Sequence, residues 1–213
     1  MYEIGDAILS SEEYSQKYLP LLENRLTPPR LKHSLDVMKV MIEITPIYSL
    51  DGRQALIAGL LHDIARDMGS EHQQEMAERP GIERKYPCEN HPVYLHALVG
   101  AHLVRTETDI TDKSVIDAIA FHQHAGNGGN SDTPLSQCLR FADILAPIQE
   151  WKGMKKFKSV VYTGRMEEAA LLSSGWSIEY LRKHNVPIHP NLAKKYETLV
   201  EKLKVNSAFF ERY

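Results

Sequence analysis

Six side chains of the kind that ligate metals lie inside apolar, helix-periodic segments of this chain, and that placement constrains its fold more than anything else in the sequence. His33 sits in LKHSLDV, the adjacent His62 and Asp63 in GLLHDIARD, His96 in LHALVGAH, His122 in AIAFHQH and Asp143 in RFADILA. A buried imidazole or carboxylate costs free energy unless it is partnered. Helices carrying such residues on apolar faces must therefore pack so that the polar groups meet. Each residue alone has a bland explanation, a hydrogen-bonded core histidine or an aspartate paired with arginine. All six together would need six independent accidents.

The periodicity along the chain is helical almost throughout. Ser10 with Glu13 has a capping-box spacing, opening a helix that reaches about Arg25. After Pro28 and Pro29 a second helix runs to about Thr45, with Leu31, Leu35, Met38 and Ile42 on one face and His33 at its edge. Asp51 caps a third, expected to continue until just before Gly69. Ser70 starts a short polar helix that Pro80 stops. Pro92 fits a first helical position, Thr111 is read as the cap of SVIDAIAFHQHA, and Thr133-Pro134 opens LSQCLRFADILAPIQ. The intervening GNGGNSD is a loop. FKSVVY, MEEAALLSSGWSIEYLRKH and LAKKYETLVEKLK complete the set, and no strand alternation or internal repeat is visible. The fold class read from this is all-α, a helical bundle with a metal site in its centre.

Bulk properties narrow the partners. A length of 213 residues suits one domain with a buried core. A net charge of -3 argues against nucleic acid or a membrane surface as the partner. No apolar run approaches the ~18 residues of a membrane span, and the first residues do not read as a secretion signal. Two cysteines without a CxxC spacing point away from a disulfide framework and toward a reducing cytoplasm. Nitrogen and oxygen ligands without thiolate suit one or two divalent cations of Fe, Mn, Zn, Co or Mg.

The order H…HD…H…H…D resembles the HD-domain superfamily of metal-dependent phosphohydrolases. The segments RLKHSLDVM, AGLLHDIAR, LHALVGAHLV, AIAFHQHAG, FADILAP and VPIHP, between residues 26 and 200, are similar to its YqeK-type branch. That resemblance implies an HD-type helical domain over 26–205 behind an N-terminal helical extension over 1–25. It implies two divalent metals, iron first, on His33, His62, Asp63, His96, His122 and Asp143. It also implies a small nucleotide substrate, diadenosine tetraphosphate cleaved symmetrically to two ADP. Asp63 is the expected bridging catalytic carboxylate. Arg30 and Arg66 stand where the family has basic residues near phosphates, and His124 is a candidate pocket residue. A homodimer is compatible with this reading.

The sequence departs from the family pattern at the rim. A DYIEPNR-like stretch is replaced by DILAPIQ, so that Ala146, Ile148 and Gln149 stand at polar or charged positions, and Gln123-His124 follows His122. Nucleoside monophosphate hydrolysis, di-iron oxygenation and non-catalytic nucleotide sensing use the same ligand types and remain alternatives on sequence grounds.

Overall fold

The computed structural model describes residues 4–124, 132–146 and 153–205, and among these every regular element is helical. The ten α-helices are α1 (Ile4–Glu23), α2 (Pro28–Tyr48), α3 (Gly52–Leu61), α4 (Ser70–Ala77), α5 (Pro92–Glu107), α6 (Lys113–Phe121), α7 (Pro134–Leu145), α8 (Met154–Tyr162), α9 (Met166–Lys183) and α10 (Pro190–Lys202). A 3₁₀ turn over Pro87–Asn90 precedes α5.

The bundle is organised around α3. Asp51 caps it by accepting from the Gln54 amide, and every residue from Ala55 to Leu61 is buried. A helix apolar all round has to be enclosed, and α1, α2, α6 and α7 enclose it. Gly59 makes the α2 contact close: a Cβ there would stand 2.8 Å from Met38 Cα. The sequence-predicted extension contributes to this packing, since α1 lies against α3 and Tyr18 and Leu22 are core residues. Helix α5 packs on α6 and α4, while α8, α9 and α10 close the side next to α7.

Several boundaries differ from the sequence reading. Helix α1 begins before Ser10, so Ser10 is not its cap. Helix α2 continues past Thr45 to Tyr48 with Pro46 inside it, because a missing N–H in the last turn removes only one helical bond. The α4 cap is Gly69 and the α6 cap is Asp112, whose side chain accepts from the Ser114 amide; the expected Thr111 lies one residue too early. Most of GNGGNSD, and Ile148 and Gln149, lie outside the described residues.

The most consequential difference is the end of α3. Regular helix stops at Leu61, and the chain continues in tight turns, with Ile64 N donating to Leu61 O, Arg66 N to Asp63 O and Met68 N to Ala65 O. This i→i+3 bonding rotates successive side chains by about 120° rather than 100°. His62 and Asp63 leave the core helix where their backbone is free to turn both toward the same centre.

Candidate metal centre

Four of the five helices implicated by the sequence deliver their ligands from different local devices. His62 and His122 are the C-cap residues of α3 and α6, and each ring Nδ1 donates to the carbonyl three residues earlier, Gly59 O at 2.9 Å and Ile119 O at 2.8 Å. His96, inside α5, places Nδ1 3.0 Å from Pro92 O, and His33, inside α2, places Nδ1 2.9 Å from Ala146 O. A carbonyl can only accept, so at His62 and His122 the contact places a proton on Nδ1 and aims Nε2 at the cluster, whereas the Nδ1 of His96 is shared between Pro92 O and the Arg66 guanidinium, and the Nε2 of His33 faces a carboxylate oxygen of Asp143. The helix ends of α3 and α6 also present their partial negative charge to this region, which favours cations.

All four Nε2 atoms converge on two carboxylates. Asp63 divides its oxygens: Oδ1 lies 3.2 Å from His96 Nε2 and 3.8 Å from His122 Nε2, while Oδ2 lies 3.6 Å from His62 Nε2 and 3.9 Å from His33 Nε2. Asp143 Oδ1, from α7, is 3.0 Å from His33 Nε2 and 3.7 Å from His62 Nε2. The set resolves into overlapping groups that can each hold a cation: His33, His62 and Asp63; His62, His122 and Asp143; Asp63, His96 and His122. All six sequence-predicted ligand residues are therefore brought together.

Two features of the donors fit a metal and not a purely hydrogen-bonded core. His62 Nε2 is buried with no hydrogen-bond partner among the described residues. His96 Nε2 and His122 Nε2 face each other at 3.3 Å beside Asp63 Oδ1, a convergence of two ring nitrogens and a carboxylate oxygen that suits a cation. A cation held by these residues would take one lone pair from each ring nitrogen. The cluster contains no thiolate: Cys138 is buried elsewhere on α7 and Cys88 lies before α5.

The electrostatics agree. Burial works against charge on Asp63 and Asp143, yet the imidazoles outweigh it and hold both carboxyls well below the ordinary range, His62 and His96 acting on Asp63, His33 and His62 on Asp143. Burial would also lower His62, but Asp63 and then Asp143 raise it. Burial lowers His96, and burial with the charge of His62 lowers His122 to about 3, so that both stay neutral near pH 7 and keep their lone pairs.

The other sequence-predicted residues are placed differently. Arg30 Nη1 bonds Asp63 Oδ2 at 3.1 Å and its Nε lies 3.7 Å from Asp67, which puts it on the carboxylate itself. Arg66 Nη1 lies 2.8 Å from His96 Nδ1 and lines a cavity of about 390 Å³ beside the cluster. Asp143, His122, Gln123, Arg140, Trp176 and Tyr180 also line it. That volume falls in the range of small-molecule sites, about 300–1,000 Å³. A cavity of about 510 Å³ between α9 and α10 holds none of the cluster residues.

His124 does not join the six. It is buried in a neighbouring group, its ring stacked on His189 at 3.8 Å with an interplanar angle of 3°. His189 caps α10 by accepting from Asn191 N, so its Nε2 donates to Glu89 Oε1 at 3.0 Å, and Glu89 Oε2 takes the Tyr86 amide at 3.0 Å. Sequence reading missed Glu89, a buried carboxylate in an otherwise exposed turn, for which CEN offers no signal. It also missed Arg140, for which a signal existed: an arginine three residues before Asp143 on an apolar face.

Glu89 leads to a stability prediction. Burial opposes its charge, but His189 and the amides of Tyr86 and Lys85 lower it below its ordinary value. A depressed carboxyl stabilises the fold above its unfolded value of 4.5 and loses that contribution as pH falls through the lower folded value. Glu89→Gln should therefore cost about 1–3 kcal/mol near neutral pH, as expected for hydrogen bonds to a charged group. It should also flatten the acid side of the stability profile in denaturant melts. An unchanged profile would show that the Glu89–His189 pair contributes nothing.

Residues 30–148 match the HD domain family. A relative from Bacillus subtilis named bis(5'-nucleosyl)-tetraphosphatase, symmetrical, is 28% identical, covering 87% of this chain and 97% of that protein. A protein of the same name from Halalkalibacterium halodurans is 29% identical over 86% of this chain and 96% of its own length. The crystal structure of a predicted HD superfamily hydrolase involved in NAD metabolism from Clostridium acetobutylicum is 28% identical in sequence and superposes with a TM-score of 0.79, covering 88% of this chain and 97% of that one. With the HD pair at the end of α3, four inward-facing imidazoles, and a family match across more than half its length, the chain belongs to the HD domain family.

Proposed function

We propose that this protein is a metal-dependent phosphohydrolase that cleaves a dinucleoside tetraphosphate symmetrically, diadenosine tetraphosphate and water giving two ADP. One observation carries the reading: Asp63 offers one oxygen to His96 and His122 and the other to His33 and His62, beside a cavity of nucleotide-sized volume. The relatives named for that activity match over nearly their whole lengths.

His33, His62, Asp63, His96, His122 and Asp143 would hold two divalent cations, iron first among the candidates. When bound, such cations supply a hydroxide nucleophile near neutral pH and neutralise phosphoryl oxygens. The protein's own contribution is orientation. Four backbone carbonyls fix the imidazoles, and Asp63 ties the two halves of the centre together. Arg66, on the cavity wall, meets phosphate charge, and Arg30 holds Asp63 Oδ2. His124, buried and stacked on His189, braces the turn that carries His122 and Gln123, its amide donating to Phe121 O. Trp176 and Tyr180 wall off the outer side. In this reading residues 26–205 form the catalytic domain and α1 braces α3.

Two first-row metals per chain are the expected content of protein purified without chelator. Elemental analysis checks this, and no metal before or after reconstitution with Fe, Mn or Co would overturn it. Incubation of the loaded enzyme with diadenosine tetraphosphate should yield ADP as the only nucleotide product. ATP with AMP, or phosphate released from monophosphates in place of dinucleotide cleavage, would refute the symmetrical assignment.

A further inference from the structure

Arg140 is buried, with 8% of its surface exposed, and neither Nη1 nor Nη2 has a hydrogen-bond partner among the described residues. A guanidinium in that state is costly, because burial removes water from both terminal nitrogens and no described residue takes its place. The acidic groups near it have other partners. Both oxygens of Asp132 lie 2.7 Å from Lys195 Nζ, and Asp143 Oδ1 faces His33 Nε2 at 3.0 Å. The Tyr94 hydroxyl donates to Pro187 O. Burial lowers Arg140 to about 10, against the opposite pull of Asp132 and Asp143, so it is cationic at neutral pH.

Its position gives that charge a purpose. Arg140 and Asp143 are three residues apart on α7, hence on one face, and both line the cavity that also holds Arg66 and His122. It is the sole basic residue of α7, and the ILAPIQ that follows Asp143 contains none. A planar guanidinium suits bidentate contact with a phosphate group.

We propose that Arg140 is a phosphate-binding group of this cavity, taking an oxyanion of the substrate's polyphosphate next to the metal centre. This rests on the phosphohydrolase reading for the identity of the substrate, though not for the chemistry of the ligand, a phosphate oxyanion. The phosphate replaces the missing partners of both terminal nitrogens, so the cost of burying them unpaired is relieved only in the complex.

The test uses the metal-loaded full chain and two variants, Arg140→Met and Arg140→Lys. Inorganic tripolyphosphate and ADP are titrated calorimetrically, with adenosine as the phosphate-free control, and ligand-free melting temperatures are recorded. Arg140→Met should bind tripolyphosphate and ADP about 10- to 100-fold more weakly, the range for a lost charge-assisted contact. Arg140→Lys should fall between, and adenosine binding should not change. The ligand-free melting temperature of Arg140→Met should equal or exceed that of wild type, because an unpaired buried charge has been removed. Unchanged phosphate binding would overturn the proposal. So would a methionine variant that melts far below wild type or fails to fold, since that assigns Arg140 a structural role. Arg140-dependent tripolyphosphate binding without dinucleotide cleavage would uphold Arg140 and refute the hydrolase reading. Dinucleotide cleavage with phosphate binding indifferent to Arg140 would do the reverse.

Discussion

Asp63→Ala should abolish hydrolysis, with kcat down at least about a thousandfold, or ~4 kcal/mol of barrier at 1.36 kcal/mol per decade. The size follows from geometry. Among the described residues Asp63 alone comes within 4 Å of all four Nε2 atoms, so its loss unbalances both halves of the centre together. Residues acting as a unit show such non-additive losses. Bound metal should fall in parallel, while helical content by circular dichroism stays close to wild type, because Asp63 follows α3 and is not part of it. A variant with normal metal content and near-normal turnover would remove Asp63 from the reaction.

Gly59→Val should destabilise the fold by about 3 kcal/mol, the upper end for overpacking, which corresponds to roughly 6–12 °C in melting temperature for a chain of this size. Intrinsic helix propensity argues the other way, since replacing glycine inside a helix gains up to about 1 kcal/mol. The contact decides. A Cβ at Gly59 would stand 2.8 Å from Met38 Cα and 3.2 Å from Met38 N, and backbone atoms of α2 cannot swing aside as a side chain would. Gly59→Ala should show a smaller loss in the same direction. Because Gly59 O also receives the His62 Nδ1 proton, displacement of α3 should weaken metal retention as well. Thermal denaturation with elemental analysis checks both effects, and a melting temperature at or above that of wild type would show that α2 and α3 have room to separate.

How much was legible beforehand differs by residue. Asp51 and Thr133 were found as caps because a side chain bonding an amide two or three residues on is a local event. Thr111 was chosen over Asp112 because both are good capping residues and only the backbone at the helix start separates them. The continuation of α3 to near Gly69 was read from unbroken apolar periodicity. It failed because the pull of His62 and Asp63 toward side chains on α2, α5, α6 and α7 outweighs one more turn of regular helix. Arg66 was read as a phosphate contact and does line the cavity, but its contact with His96 Nδ1 could not be foreseen from spacing.

From the sequence alone came the helical class and the six residues of the centre, because both are written in local pattern: period 3.6, and polar side chains where that period demands apolar ones. Only the tertiary structure decided how Asp63 divides its two oxygens, which carbonyl orients each imidazole, that Glu89 receives His189, and that the terminal nitrogens of Arg140 meet no hydrogen-bond partner among the described residues. Those facts depend on residues far apart in the chain, His33 with Ala146 or Glu89 with His189. No periodicity encodes such pairings, since the free energy of each depends on what the rest of the packed core brings within a few ångströms.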